Sequence, residues 1–140
     1  MVEQTQPSIT DVIAVAEFRS ALRHFLRRSE KIARQSGLTP QRYTLLMMIK
    51  GAPGGDEQST VTELSERLQL AQSTVTELVR RAETAGLIER EQSQRDARVA
   101  HLRLTSEGER RLMLSFTALE TERAQLREAF ANLDGGVAGH

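Results

Sequence analysis

The chain has 140 residues, 39% of them hydrophobic, with four Phe, one Tyr and no Trp, so one domain is expected whose core is filled mainly by Leu, Ile, Val and Ala. The absence of Cys excludes disulfides, thiolate metal sites and thiol redox switches. No apolar run reaches membrane-span length and no signal peptide marks the polar N-terminus, so a cytoplasmic protein is expected, and 19 Lys and Arg against 19 Asp and Glu exclude a general polycation.

The charge is unevenly spread. From Glu17 to Lys50 eight Lys or Arg stand against Glu17 and Glu30; from Gly51 to Leu70 one Arg stands against four acids; from Ala71 to Arg103 six Arg stand against five acids. The basic excess therefore sits near the N-terminus.

In chain order, Met1 to Pro7 is a polar lead expected to fray. Ser8, with Asp11 three residues on, caps a first long helix. Its stripe of Ile9, Val12, Val15 or Ala16, Phe18, Leu22, Phe25 or Leu26, and Ile32 or Ala33 drifts round the cylinder. Arg19, Arg23, Arg27, Arg28 and Lys31 occupy other faces, a solvated surface that would complement acids of a partner subunit. Gly37 ends this helix. Thr39 as N-cap, Pro40 at the first helical position and Leu38 placed to staple against Tyr43 start the next. The run Leu45-Leu46-Met47-Met48-Ile49 reads as buried on most sides, and Gly51 to Asp56 is a breaker-rich loop.

Thr60 and Glu63 form a capping box ahead of a short stripe, Val61, Leu64 and Leu68, which predicts a brief helix. Only Gln69 and Leu70 separate it from a second helix over Ala71 to Ala85. There Ala71, Val75, Leu78, Val79, Ala82 and Ala85 make one apolar face. Ser73, Thr76, Glu77, Arg80 and Thr84 fall on the opposite face, with Gln72 and Arg81 at its margins. So short a connection suits a helix-turn-helix. Gly86 can adopt the left-handed conformation that ends a helix. Leu87 to Glu91 and Val99 to Leu104 then read as two strands of a hairpin with a charged tip, Gln94-Arg95-Asp96-Ala97-Arg98. Ser59-Thr60 is placed to add a short third strand.

From Ser106 one last long helix is expected, with Leu112, Leu119, Leu126 and Leu133 at heptad d positions and Phe116, Arg123 and Phe130 at a. Such a narrow seam wants a partner helix, either the first helix of the same chain or a copy across a two-fold axis. Arg123 would set register against Glu120 or Glu122 of that copy. Asp134-Gly135-Gly136 is expected to stop the helix, leaving Val137 to His140 as a tail.

Asp96-Ala97-Arg98, followed by Leu102-Arg103-Leu104-Thr105-Ser106-Glu107-Gly108, resembles the wing signature of the multiple-antibiotic-resistance regulator (MarR) family of bacterial winged-helix transcription factors. The pattern there is Asp-x-Arg, three residues, then Leu-x-Leu-Thr-x-x-Gly. Ser73-Thr74-Val75-Thr76 and Ala85-Gly86-Leu87-Ile88-Glu89-Arg90 precede it in register, and the similarity extends over nearly the whole chain. Two positions depart from it: Gln69 stands where a turn Gly is common, and Ala71 where a capping Ser is common, a loss of about 1 kcal/mol of helix stability. The resemblance implies a mostly α (α+β) fold. Residues 39–104 would form a winged helix-turn-helix, flanked by dimerisation helices at 8–36 and 106–134 within a single domain, 1–140.

It also implies a DNA-binding regulator: a homodimeric repressor that binds an inverted-repeat operator in double-stranded DNA and is released by a small aromatic or phenolic effector, with no cofactor. Without Cys, the peroxide-sensing mode of some relatives is excluded. The DNA-facing positions would be Gln72, Ser73, Thr74, Thr76, Glu77 and Arg80 on the second helix, with Arg95, Asp96 and Arg98 on the wing. Arg80 would donate to a guanine edge and Gln72 or Thr76 would reach other bases. Ser73 and Thr74 would meet phosphate, and Arg98 or Arg95 would follow the backbone into a minor groove, with Asp96 orienting Arg98. Arg81 and Arg103 are further candidate anchors. Leu112, Phe116, Leu119, Arg123, Leu126 and Phe130 would form the dimer seam. Tyr43, Met47, Phe18, Phe25 and Arg42 are conceivable effector contacts, each equally explained by core packing.

An enzyme is not expected, because His24, His101 and His140 lie apart with no metal-ligand spacing, nucleophile elbow or phosphate loop. The alternative is a helical protein-interaction module with a merely structural hairpin, which would lack DNA affinity.

Overall fold

A computed structural model describes residues 6–138; Met1 to Thr5 of the lead expected to fray, Met1 to Pro7, and Gly139 and His140 of the tail lie outside the described residues. Local signals set most element ends. Ser8 caps α1 (Ile9–Gln35): its Oγ accepts from the Asp11 amide at 3.1 Å, and the Asp11 carboxylate accepts from the Ser8 amide. At the other end Gly37, at φ +79°, lets its own amide donate to the Arg34 carbonyl and that of Leu38 donate to Ala33. Thr39 caps α2 (Pro40–Lys50) with Pro40 at its first position. Thr60 and Glu63 make a reciprocal box at α3 (Val61–Leu68). α4 (Gln72–Thr84) follows at once and ends at Gly86, φ +77°, where Leu87 donates to Ala82.

Strands β1 (Ile88–Gln92) and β2 (Ala100–Leu104) pair antiparallel, Ile88 opposite Leu104 and Gln92 opposite Ala100. Ser59 adds a single isolated bridge to Leu102, each amide donating to the other's carbonyl, in place of the short third strand expected over Ser59-Thr60; the sheet has two strands. The core is built round α2: Leu45, Leu46 and Ile49 meet Leu64 of α3, Val75 and Val79 of α4, and Leu87 and Leu102 of the hairpin, all fully buried. Each such side chain contributes about 1.5–3 kcal/mol through burial.

α5 (Ser106–Ala118) starts at a tight joint. Thr105 caps it, accepting from the Gly108 amide, while its hydroxyl donates to the Gly86 carbonyl at 2.6 Å and its amide to Leu87 at 3.0 Å. Gly108 lies so close to this corner that a Cβ would stand 2.1 Å from the Leu87 oxygen. The Thr-x-x-Gly pattern thus ties the end of α4 and the start of the hairpin to α5.

Two expectations at the C-terminus are corrected. The last helix is not continuous: α5 stops at Leu119 (φ −102°, ψ 14°) and α6 (Glu120–Ala138) starts anew. The bend turns Leu119 into the core while α6 lies along α1. Arg123 holds it, donating to the Phe116 carbonyl, which also accepts from the Leu119 amide at 3.3 Å, and lying 3.7 Å from the centre of the Phe116 ring. Nor does Asp134-Gly135-Gly136 stop the helix; α6 runs through both glycines to Ala138. Glycine weakens a helix by about 1 kcal/mol but keeps its amide, so it does not oblige a stop.

The seam changes accordingly. Leu112 and Leu119 are buried in the chain's own core, Leu126 and Arg123 are half-buried against α1 and the bend, and Phe116 and Phe130 stay exposed. Glu122 accepts from Arg28 of the same chain at 3.3 Å, and Arg123 donates to the Phe116 carbonyl. Phe18 and Phe130 meet edge to face, ring centres 6.0 Å apart.

Candidate nucleic-acid interface

α4 buries Val75, Val79 and Ala82 and turns Gln72, Ser73, Thr74, Thr76 and Arg80 outward. Ala71 provides no side-chain cap, so the first amides of the helix stay open to an anion. Gln72 Nε2 lies 3.4 Å from Thr62 Oγ1 of α3, which steadies it at the start of the helix. Thr84 returns its hydroxyl to the Arg80 carbonyl.

Arg80 is not a free cation. Its Nε and NH2 donate to the two oxygens of Glu77 at 3.0 and 2.5 Å, and Arg81 Nε donates to the same carboxylate at 3.1 Å. The Arg80 bond, with help from Arg81, holds the Glu77 carboxyl below the usual carboxylate range, and Glu77 in turn raises the Arg80 pKa. Glu77 therefore faces its own helix's arginines.

The wing tip is shaped by its own side chains. Ser93 Oγ accepts from the amides of Arg95 and Asp96 at 3.2 and 3.3 Å, and Ser93 donates its amide to Val99 across the loop. Asp96 accepts from the Arg98 amide at 3.0 Å and from its Nε at 3.1 Å, which keeps the carboxyl low and extends the guanidinium into solvent. Arg98's side chain is 90% exposed. Arg95 is exposed and makes no ion pair among the described residues.

Arg103 points elsewhere: it pairs with Glu91 across the hairpin at 3.7 Å and lines a polar cleft with Lys50, Glu57, Glu89 and Glu109, in which Lys50 bridges Glu57 and Glu109. Arg90, which sequence reasoning passed over, makes two 2.9 Å bonds to Glu83 and so braces β1 against the end of α4. A seven-residue separation across a helix end and a turn carries no periodic signal.

The conceivable effector contacts are not gathered. Phe18 and Phe25 line a cleft between α1 and α6 with Arg123, Leu126, Arg127 and Phe130, whereas Tyr43 is buried in the core, its hydroxyl pushed up chiefly by burial. Among the described residues no three His, Asp or Glu come together as metal ligands, and no helix is long and apolar enough to cross a membrane.

Residues 36–99, from the end of α1 into the wing, match the model of the MarR family. No curated protein matches the sequence. Among solved structures, a MarR family transcription regulator superposes with a TM-score of 0.69 at 23% identity, over 91% of this chain and 82% of its own. Wild-type MarR of E. coli in its apo form gives 0.65 at 18% identity over 79% of each chain. A mutant of MepR from S. aureus, bound to an oligodeoxyribonucleotide, gives 0.66 at 19% identity over 87% of this chain and 94% of its own. Over residues 36–99 the chain is thus similar to the MarR family, and from α1 to α6 it shares the fold of these solved regulators.

Proposed function

We propose that the chain is a sequence-specific regulator of transcription that binds double-stranded DNA as a homodimer and represses at an inverted repeat until a small aromatic or phenolic effector releases it. The observation that carries the reading is the exposed polar face of α4 beside a wing whose Arg98 is held outward by Asp96. MepR, of the same fold, is bound to an oligodeoxyribonucleotide. α4 enters a major groove, where Arg80 reads guanine and Gln72 or Thr76 reads neighbouring bases. Ser73, Thr74 and the open amides at the helix start meet phosphate. Arg98 and Arg95 track the backbone into the adjoining minor groove.

Two copies place two reading helices on half-sites one helical turn apart, roughly 34 Å. Residues 8–36 and 106–134 form the joint between copies, because Ile9, Val12, Ile13, Val15, Phe116 and Phe130 are left exposed by the chain's own packing. An effector acts only through unequal affinity for the closed and open spacings of the two heads.

The test is anisotropy titration of duplexes enriched by the protein from a random pool, alongside scrambled ones. Arg98→Ala weakens both alike, whereas Arg80→Ala lowers the preference between them roughly tenfold. If neither variant moves either titration, these contacts are not the ones made.

A further inference from the structure

Five of the six arginines on α4 and the hairpin are paired with carboxylates within the chain; Arg95 makes no ion pair among the described residues. Arg80 and Arg81 share Glu77, Arg90 has Glu83, Arg98 has Asp96 and Arg103 has Glu91. Glu77 stands apart from the others in two respects. One carboxylate serves two guanidiniums, from i to i+3 and i+4, and all three groups lie on or beside the outward face of α4. A carboxylate offers a guanidinium the same two-oxygen fork that a phosphate does.

We propose that Glu77 is a specificity-determining residue that acts as a built-in counter-anion: it occupies Arg80 and Arg81 so that they are not spent on DNA phosphate and exchange only for a better-matched set of acceptors. The inference rests on the DNA-binding reading above. On a random duplex matched base edges are rare and the acceptors met at every register are phosphates, which replace one anion by another while Glu77 itself is pushed toward the backbone and repelled. On a matched site Arg80 meets the two acceptors of a guanine edge, and the released carboxylate can accept from a cytosine amino group. The exchange is therefore near neutral on the wrong sequence and favourable on the right one. Discrimination comes from penalising the former.

Glu89 provides the control. It is an exposed acid on β1 with no ion pair among the described residues, so Glu89→Gln removes the same charge without releasing an arginine. The experiment titrates a labelled random-sequence duplex with the wild type, Glu77→Gln and Glu89→Gln over a range of monovalent salt, then repeats it with the duplex the wild type enriches from a random pool. For each further phosphate that a released arginine neutralises, Glu77→Gln is expected to bind the random duplex roughly eightfold tighter at about 0.1 M salt, with a salt slope steeper by about 0.9. Its preference for the enriched duplex falls by a similar factor, while Glu89→Gln changes each by less than about half as much on a logarithmic scale.

Wild-type binding with no tightening in Glu77→Gln, or an equal tightening in Glu89→Gln, overturns the role assigned to Glu77 and leaves the DNA-binding reading intact. A wild type that binds neither duplex in a salt-dependent way removes that reading, and the inference with it.

Discussion

The head, from α2 to the hairpin, and the long helices that flank it finish their packing differently. In the head, Leu45, Leu46, Ile49, Leu64, Val75, Val79, Leu87 and Leu102 have no exposure, and five arginines have carboxylates of the same region. Along α1, α5 and α6, Ile9 is 72% exposed, Ile13 54% and Phe130 59%, and of the α1 cations only Arg28 makes an ion pair among the described residues. The head closes its apolar core within its own chain and pairs five of the six arginines of α4 and the hairpin. In the helical arm, α1 is open in both apolar surface and charge, as a surface that a second copy would complete must be.

The sharpest way to break that division is at the joint between the two regions. Gly108→Ala puts a Cβ 2.1 Å from the Leu87 carbonyl oxygen, a backbone atom that cannot swing aside. Overpacking of this kind is expected to cost about 3 kcal/mol. A urea denaturation curve reads it, and an unchanged midpoint would mean that α5 is not seated on the hairpin corner. Next in size, Ile13→Glu sets a charge on the open arm and leaves the head untouched. Losing one buried aliphatic side chain at a seam is worth about 2–3 kcal/mol, on the order of a hundredfold in the dimer dissociation constant by sedimentation equilibrium. Association that ignores the substitution would mean that this face of α1 is not the seam.

What was legible in the sequence was local. Ser8 with Asp11, Thr39 with Pro40, Thr60 with Glu63, and the glycines at 37 and 86 each act within a few residues, and each is found at the boundary it marks. The outward face of α4 was readable for the same reason, since helical periodicity places it. The bend at Leu119 was not, because no Pro or Gly stands there; it is imposed by α5 and α6 serving different neighbours, and its latch, Arg123 on Phe116, exists only once the bend does. The Arg28–Glu122 pair joins residues far apart in sequence. The clasp of Arg80 by Glu77 had a signal, the i to i+3 spacing, but periodicity shows which residues share a face and not which of them hold each other.

The helix-turn-helix elbow supplies a smaller effect inside the closed region. Gln69 sits at φ 57°, ψ 45°, the left-handed conformation that a β-carbon disfavours, with its side-chain amide donating to the Glu66 carbonyl at 2.7 Å. Gln69→Gly relieves about 1–2 kcal/mol of strain and returns part of it as freedom in the unfolded chain, for a net stabilisation of about 0.5 kcal/mol. Chemical denaturation should show the rise, and a loss instead would mean that the Glu66 bond outweighs the strain.

The smallest effect tests the arm through protons. Glu107, in the first turn of α5, accepts from Arg110 Nε and NH2 at 3.1 and 2.6 Å and from Arg111 Nε at 2.9 Å, and these bonds, Arg110's first, lower its carboxyl from 4.5 to about 2. A folded-state pKa below the unfolded value means that the unfolded chain binds the proton more readily. The contribution is complete above about pH 4.5 and fades as the pH falls toward about 2. Solvent screening keeps it small, since the cluster is exposed at the surface. Glu77 and Asp96 are lowered as well, so the wild-type curve alone would mix head and arm. Subtracting the curve of Glu107→Gln isolates the arm. That difference should be flat above about pH 4.5 and shrink below it; a difference independent of pH would assign Glu107 a packing role, through Arg111 and its bond to the Gly37 carbonyl at the end of α1, in place of an electrostatic one.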